Sequence, residues 1–218
     1  MAFILLEERK AREAVERLEK EYPDAAYYLK FSTPIDLVVA AMLSAQTRDE
    51  VVNAITPGLF RKYRTARDYA NADPEELAGI VRSVSFAGNK AKNIVLACKT
   101  IADKYDGTVP DRMDALVELP GIGRKTANTI LINAYKKVEG IPVDTWVIKL
   151  SGRIGLSGSK KPDEIEQDLM KVVDRKHWRN IAYVMKSHGK KVCQSQVPLC
   201  SKCILNAMCP KNLVTKPG

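Results

Sequence analysis

Two side chains of this sequence, Lys125 and Asp144, have the types and surroundings that covalent chemistry at a carbon atom requires. Lys125 follows a glycine-rich turn in LPGIGRKTA, and Asp144 precedes an apolar helical segment in IPVDTWVIKL. A lysine amine becomes a nucleophile once it loses its proton, and a helix N-terminus and the adjacent cation Arg124 both favour that loss. An aspartate at a helix N-terminus can stabilise a cation that develops nearby. Lys125 is therefore a candidate nucleophile, and Asp144 is a candidate electrostatic partner.

Both residues also have a purely structural interpretation. The apolar face of the helix after the turn follows i, i+3, i+4 and i+7 spacing and comprises Ala127, Ile130, Leu131 and Ala134. Lys125 falls with Thr129 and Ile132 on the side away from this face, so its side chain either is solvated or faces a cleft. Asp144 stands where a helix N-cap residue belongs, and capping is compatible with a catalytic role.

The turn itself, PGIG, joins two short helices and predicts an anion site. Gly121 and Gly123 allow positive φ angles and a close approach of a ligand to backbone N–H groups at the start of the second helix. A nucleotide-binding P-loop is excluded, because that motif needs glycine where Arg124 and Leu119 stand. The turn is interpreted as a sequence-independent grip on a nucleic-acid phosphate, and a plain helix–helix connection is the alternative.

Four of the five cysteines lie close together near the C-terminus and predict a metal centre. They form the pattern C-x6-C-x2-C-x5-C with Cys193, Cys200, Cys203 and Cys209. A disulfide framework would spread its cysteines along the chain, and a zinc ribbon usually presents two C-x2-C pairs. The uneven spacing favours an iron–sulfur cluster, with His188 offering a rival Cys3His zinc site. The fifth cysteine, Cys98, lies on an apolar helical stripe and is predicted to be a buried structural thiol.

Composition and periodicity describe the elements that must hold these residues. The 218 residues carry 35 Lys and Arg against 26 Asp and Glu, a net charge of +9 that favours a polyanionic partner. The apolar start is too short for a signal sequence or a membrane span, so a soluble intracellular protein is expected. About ten helices are predicted, near residues 6–20, 35–45, 49–62, 74–82, 88–104, 111–118, 124–137, 144–154, 163–173 and 177–188. The start signals of two of them are Ser32–Pro34 and Asp73–Pro74, and the predicted fold class is all-α.

These motifs, in this order, resemble the endonuclease III family of helix–hairpin–helix DNA glycosylases, which are base-excision repair enzymes. The resemblance rests on Lys125 in LPGIGRKTA, on Asp144 in VDTW and on the four-cysteine tail, and it includes LSAQTRD at residues 43–49. It extends nearly from end to end. It implies a bifunctional DNA glycosylase and abasic-site lyase that removes oxidised pyrimidines such as thymine glycol.

The resemblance also implies an architecture, a cofactor and a partner. Two helical domains would flank a cleft: a six-helix barrel with the helix–hairpin–helix at residues 27–137, and an iron–sulfur cluster domain of residues 1–26 and 138–218. The cluster would be 4Fe–4S. The protein is expected to be a cytoplasmic monomer, nucleoid-associated in a prokaryote, that binds double-stranded DNA with a damaged or abasic site and no membrane. The damaged nucleotide would leave the helix, because its glycosidic carbon is out of reach in a stacked duplex.

The family roles carry over to matching positions of this chain. Lys125 would attack C1′ of the extruded nucleotide and form a Schiff base, β-elimination would cut 3′ to the lesion, and Asp144 would stabilise the oxocarbenium-like transition state. Gln46 would fill the hole left by the extruded base. Phe86 matches a bulky wedge on the opposite strand, with an ordinary core aromatic as the alternative. The hairpin residues that would contact the DNA backbone are Gly121, Gly123 and Arg124.

The chain departs from the family pattern at two places. Bacterial members commonly have histidine where this chain has Trp146, which is expected either to reshape the pocket or to pack at a domain junction. The loop QSQVPL after Cys193 lacks the basic residues that often bind a phosphate there. Lys190 and Lys191 are expected to supply that charge.

Three alternatives stay open from the sequence alone. A non-catalytic helix–hairpin–helix module would bind DNA through the hairpin and the basic surface without releasing a base. A zinc-stabilised scaffold would contain zinc and no acid-labile sulfide. A glycosylase of the same superfamily would act on a different base.

Overall fold

Every regular element in the part of the chain that the structure describes is helical. The structure is a computed structural model that describes residues 3–218. In chain order the α-helices are α1 (Glu8–Glu21), α2 (Pro34–Ser44), α3 (Asp49–Lys62), α4 (Ala66–Ala70), α5 (Pro74–Ile80), α6 (Ala87–Lys104), α7 (Met113–Val117), α8 (Arg124–Tyr135), α9 (Thr145–Ile154), α10 (Pro162–Val172) and α11 (Ile181–Lys191). Two 3₁₀ helices span Arg175–His177 and Cys200–Lys202. The all-α prediction is confirmed.

Two predicted helix starts are confirmed by side-chain caps. At the start of α2, Thr33 Oγ1 accepts a hydrogen bond from the Asp36 N–H at 3.2 Å, and Asp36 Oδ2 accepts one from the Thr33 N–H at 3.0 Å. At the start of α5, Asp73 Oδ1 accepts a hydrogen bond from the Glu75 N–H at 2.9 Å. Each helix also has proline in its first turn, where the missing N–H is not needed. Such a cap stabilises a helix by about 1 kcal/mol.

The helix predictions were wrong at two places. Helix α4 was not predicted, because five residues are too few to show a helical period. Its capping box, Thr65 with Asp68, is the local signal that marks its start. The helix predicted near 177–188 instead begins at Ile181 and continues to Lys191, after a separate 3₁₀ turn.

The chain divides into two compact units, and the first comprises Tyr28–Glu139. It contains α2 to α8 and is built on α2, whose residues Ile35–Leu43 are all buried. A helix that is buried on every side must be surrounded by other elements. Helices α3, α6 and α8 pack against α2, while α4 and α5 pack against α6. Within α6, burial raises the pKa of Cys98 to about 12, which confirms a buried thiol.

The second unit comprises the N-terminal segment up to Tyr27 together with Gly140–Gly218. In it α9 packs against α10 and α11, and α1 packs against the same two helices. Gly155 ends α9 with φ +81, and a Cβ there would lie 2.5 Å from the carbonyl oxygen of Ile4. Glycine is therefore required at this position for two reasons: the positive φ angle and the close approach of the N-terminal segment. No helix in the described range is both long and apolar enough to cross a membrane.

Candidate active site and cysteine cluster

The glycine turn before α8 has two glycines with different functions. Gly121 has φ +79, and a Cβ there would lie 3.1 Å from both Asn93 Cβ and Met42 Cε. Gly123 is the N-cap of α8 with extended backbone, and a Cβ there would meet no atom within 4 Å. The fold itself therefore requires glycine at position 121. At Gly123 the open space leaves room for a ligand to approach the first amides of α8.

Lys125 lies in the first turn of α8, and its side chain is half-buried, like that of Arg124. The predicted apolar stripe of α8 was too narrow, because residues 127–132 are all buried. Thr129 and Ile132, which the helical period places on the same side of α8 as Lys125, are each 1% exposed, so this side of the helix is covered as well. Both α2 and α7 pack against α8 and cover it on more than one side. Lys125 precedes the covered segment and lies at its margin.

Asp144 caps α9, as the sequence predicted. Its Oδ1 atom accepts hydrogen bonds from the N–H groups of Trp146 at 2.8 Å and Val147 at 2.9 Å. The other oxygen, Oδ2, accepts no hydrogen bond from residues 3–218. Two amides thus hold the half-buried carboxylate in one orientation, and its second oxygen is available to another group.

Gln46 and Phe86 lie in two loops that hydrogen bonds join together. Both residues have a left-handed backbone, with φ 53 and φ 58. The Ser85 hydroxyl donates to the carbonyl oxygen of Gln46 at 2.8 Å, and the Ser85 N–H donates to Thr47 Oγ1 at 3.0 Å. Phe86 is 63% exposed, which excludes an ordinary core aromatic. The Gln46 side chain is exposed as well, so one connected pair of loops presents both side chains to solvent.

The four cysteines of the tail line one cavity. They are Cys193, Cys200, Cys203 and Cys209, and none forms a disulfide. Burial raises the pKa of Cys209 to about 11 and also raises the pKa of Cys203. Within residues 3–218 no three His, Cys, Asp or Glu side chains form a group that could hold a single metal ion. Four sulfurs around a cavity fit a larger group with one ligand at each corner, as an iron–sulfur cluster requires.

Arg153, on α9, holds the loop that follows Cys193. This side chain is 7% exposed, and its guanidinium donates to the carbonyl oxygens of Cys193 at 3.1 Å, Gln194 at 2.7 Å and Ser195 at 2.9 Å. The Nη1 atom also lies 3.5 Å from Cys193 Sγ. A rigid fork of donors thus fixes one cysteine and the loop beside it. No period or motif in the sequence indicates this role.

His188, the histidine of the rival Cys3His zinc site, lies next to the cysteines as part of a hydrogen-bonded chain. Its Nδ1 lies 2.9 Å from the hydroxyl of Tyr22, and its Nε2 lies 3.4 Å from Cys203 Sγ. Burial lowers the pKa of His188 to about 4, so the ring is neutral at pH 7. Because a thiolate only accepts hydrogen bonds, a neutral ring facing one carries its proton on Nε2 and accepts the Tyr22 proton at Nδ1.

Three lysines lie beside the cysteine loop. Lys190 and Lys191 are exposed in the last turn of α11, and Lys191 Nζ lies 5.3 Å from the centre of the Tyr22 ring. Lys149, which the sequence did not single out, donates to the hydroxyl of Ser195 within the loop. The loop QSQVPL therefore has cations around it although it contains none.

Known proteins resemble this chain along nearly its whole length. Residues 39–175 match the family model for the HhH-GPD superfamily base excision DNA repair protein. Endonuclease III of Synechocystis sp. is 44% identical over 202 residues, which cover 93% of this chain and 92% of that protein. The chain belongs to the endonuclease III family. Endonuclease III of Bacillus subtilis is 39% identical over 196 residues, which cover 89% of this chain and 89% of that protein.

Solved structures agree with membership of the endonuclease III family. A structure of a trapped endonuclease III–DNA covalent intermediate matches this chain with a TM-score of 0.91 and 38% identity, over 95% of this chain and 97% of that one. A thermostable thymine-DNA glycosylase matches with a TM-score of 0.83 at 18% identity, over 93% of this chain and 97% of that one. At that identity the second match concerns the fold alone.

Trp146, the departure from the endonuclease III pattern, packs within its own unit against α11. A Cβ built on Gly189 would lie 2.2 Å from Cε3 and 2.6 Å from Cζ3 of the indole. Lys149 Nζ lies 4.9 Å from the centre of the Trp146 ring. The indole therefore fills the space over a glycine of α11, and a cation covers it. These contacts lie within one unit, so the two expectations for this residue, a reshaped pocket and packing at a domain junction, stay predictions.

We expect Gly189→Ala to lower the thermal stability of the protein. The new methyl group would overlap the indole of Trp146, and overpacking of this kind costs about 1–3 kcal/mol of folding free energy. The midpoint of thermal unfolding should fall by about 2–4 °C for each kcal/mol. Thermal melts followed by circular dichroism measure this change. Trp146→His should recover most of the loss in the double variant, and strictly additive losses would show that the two residues are not in contact.

Proposed function

We propose that this protein is a base-excision repair DNA glycosylase with abasic-site lyase activity, acting on double-stranded DNA that contains a damaged or abasic site. One observation carries the proposal: a half-buried lysine, Lys125, directly follows the open backbone of Gly123 in a chain closely similar to an endonuclease III trapped in a covalent intermediate with DNA. A covalent intermediate requires a nucleophile, and a lysine amine is one.

In the proposed reaction the nucleophile is Nζ of Lys125. It attacks C1′ of the extruded nucleotide, the glycosidic C1′–N bond breaks, and the base leaves with the bonding electrons and takes up a proton. Nζ then gives up a proton, the C1′–O4′ bond breaks and O4′ takes up a proton, which leaves a Schiff base between Nζ and C1′. Loss of a C2′ proton then breaks the C3′–O bond and releases the 3′ phosphate. The strand is thereby cut by β-elimination, with no water needed in the cutting step.

Asp144 would supply electrostatic stabilisation in this reaction. Positive charge develops on the sugar as the glycosidic bond breaks, and a carboxylate that is already held in place stabilises it without reorganisation. The hydrogen bonds from Trp146 and Val147 hold Oδ1, which leaves Oδ2 to face the reacting sugar or to assist proton transfer.

We assign the proposed DNA contacts to the open backbone of the hairpin and to exposed side chains. Phosphates would be bound at the hairpin by Gly121, Gly123 and Arg124, and beside the cysteine loop by Lys190 and Lys191. Gln46 would enter the hole left by the extruded base, and Phe86 would wedge into the opposite strand. The exposure of both side chains on hydrogen-bonded loops supports these two roles. We propose that the protein meets its DNA substrate in the cytoplasm, near the nucleoid in a prokaryote.

We further propose that the four cysteines hold a 4Fe–4S cluster that has a structural role. When bound, the cluster would fix the irregular tail, since each of four cysteines would ligate one iron and leave no open position. Arg153 would hold the Cys193 loop, and His188 would donate a hydrogen bond to Cys203. Both contacts already exist between this chain's own residues. The cations beside the loop would then be kept at a fixed distance from DNA.

Iron analysis tests the cluster. We expect the purified protein to contain iron and acid-labile sulfide in about equal amounts, about four of each per chain, because a cuboidal cluster has one iron at each corner. Cys203→Ser should lower both, whereas Cys98→Ala, which changes a buried thiol of the other unit, should leave both unchanged. Zinc in place of iron and sulfide would favour the scaffold alternative.

Base release from a defined lesion tests the proposed function. A duplex with a single thymine glycol should lose that base and be cut on its 3′ side, while the undamaged duplex should stay intact. Salt-sensitive binding without base release from any lesion would support the non-catalytic module instead. A panel of duplexes with one modified base each would separate oxidised pyrimidines from other substrates.

A further inference from the structure

A buried ammonium group lies beneath the loop that carries Gln46. Lys90, on α6, is 8% exposed, and its Nζ donates to the carbonyl oxygens of Leu43 at 2.6 Å and Ala45 at 2.5 Å. It also donates to Thr47 Oγ1 at 3.0 Å. Within residues 3–218 its partners are these three oxygens, none of which belongs to a carboxylate. Burying a cation among neutral oxygens is unfavourable, and burial lowers the pKa of this amine.

The loop needs such a partner for two reasons. The last carbonyl groups of α2 have no helical N–H to accept from, and Lys90 satisfies those of Leu43 and Ala45. Gln46 has φ 53, a conformation that costs a non-glycine residue about 1–2 kcal/mol. A loop that was free to relax would turn these carbonyl groups to water and would leave the left-handed backbone conformation at Gln46. Lys90 therefore stabilises a conformation that the local sequence does not favour.

Lys90 also connects this loop with the loop of Phe86. Its backbone N–H donates to the carbonyl oxygen of Phe86 at 3.0 Å, in the first turn of α6. Its side chain reaches the Gln46 loop, and Ser85 adds a second link between the two loops. Two exposed side chains on strained backbone are thus held by one residue that is itself buried.

We propose that Lys90 is a positioning residue that holds Gln46 and Phe86 as one rigid pair for opening the DNA duplex. This role rests on the proposed function, because it assigns both side chains to the space around an extruded nucleotide. Opening a base pair requires both side chains to enter the stack while the nucleotide leaves it. Preorganised loops avoid the loss of conformational entropy that ordering them during extrusion would require.

Lys90→Met should slow reaction at a paired lesion much more than reaction at an unpaired one. Methionine keeps an unbranched side chain of similar length but leaves two carbonyl groups and a hydroxyl without their donor. The pair of loops would then lose its fixed geometry. Base release should therefore slow mainly on substrates in which a base pair must be opened. We expect single-turnover base release to fall about tenfold to a hundredfold for thymine glycol paired with adenine. The fall should be no more than about threefold for the same lesion in a single-nucleotide bulge, where no base pair is opened.

Two further variants separate this role from a general effect on folding. Lys99→Met makes the same charge change on an exposed position of α6 and should leave both rates unchanged. Ser85→Ala removes the hydroxyl link to Gln46 at an exposed position, and it should lower the paired-to-unpaired rate ratio by a smaller factor. Fluorescence of 2-aminopurine beside the lesion reports duplex opening directly and should fall in parallel.

The outcomes distinguish this role from the proposed function. Equal slowing of both substrates by Lys90→Met, or an unchanged ratio in Ser85→Ala, would overturn the positioning role while the wild type still releases the base. If Lys90→Met fails to fold, as circular dichroism would show, the ratio in Ser85→Ala decides alone. No base release by the wild-type protein from either substrate would contradict the proposed function itself.

Discussion

Lys125→Ala is expected to abolish the covalent complex that borohydride traps between the protein and abasic DNA. The variant lacks the amine that forms the Schiff base, and loss of a covalent nucleophile lowers rates by about a thousandfold or more. The substitution is mild for the fold, because Lys125 lies at the margin of α8 and alanine is a strong helix former. Denaturing gel electrophoresis of the borohydride-treated reaction measures the trapped complex.

A matched variant at the same position separates the nucleophile from its charge. Lys125→Arg keeps a cation at the mouth of α8 but has no amine able to form a Schiff base. It should retain most of the DNA affinity of the wild type and trap nothing. Wild-type levels of trapping by Lys125→Ala would mean that another amine attacks the sugar. Loss of DNA affinity in Lys125→Arg would mean that the geometry of this residue, rather than its chemistry, is what matters.

Asp144→Asn is expected to reduce the single-turnover rate of base release about 10²–10³-fold while leaving DNA affinity nearly unchanged. The effect comes from the transition state, where the charge of the carboxylate faces developing positive charge on the sugar. Asparagine keeps an oxygen that can accept from Trp146 and Val147, and it caps helices about as well as aspartate. Thermal stability should therefore stay close to that of the wild type.

Asp144→Ala separates catalysis from capping. It removes both the charge and the cap, so it should match the rate loss of Asp144→Asn and in addition lower the free energy of unfolding by about 0.5–2 kcal/mol. Denaturant unfolding measures the second effect. Full activity in Asp144→Asn would show that Asp144 serves the helix alone.

Local signals in the sequence predicted the features that depend on neighbouring residues. Thr33 and Asp73 stand just before prolines, and such positions form caps wherever a helix follows. Asp144 precedes an apolar period and caps α9 for the same reason. The spacing of the four cysteines brought them to one cavity because the tail between them is short.

Features that depend on residues distant in the chain could not be predicted from the sequence. The burial of Thr129 and Ile132 depends on which helices cover α8, and no pattern within α8 states how many do. Arg153 and Lys90 are charged residues, for which the sequence alone suggests a solvated side chain. Their partners lie about 40 or more residues away, at Cys193 and Leu43, and only the fold brings them together. The left-handed backbone of Phe86 and the exposure of its side chain likewise follow only from the structure.

Mass spectrometry of the trapped complex is the most direct test of the proposed covalent chemistry. Wild-type protein would be reduced with borohydride during reaction with an abasic duplex, the DNA digested, and the modified peptide sequenced. We predict a reduced sugar adduct on Nζ of Lys125 and on no other amine. An adduct on a different lysine or on the N-terminus, with Lys125 unmodified, would contradict the assignment.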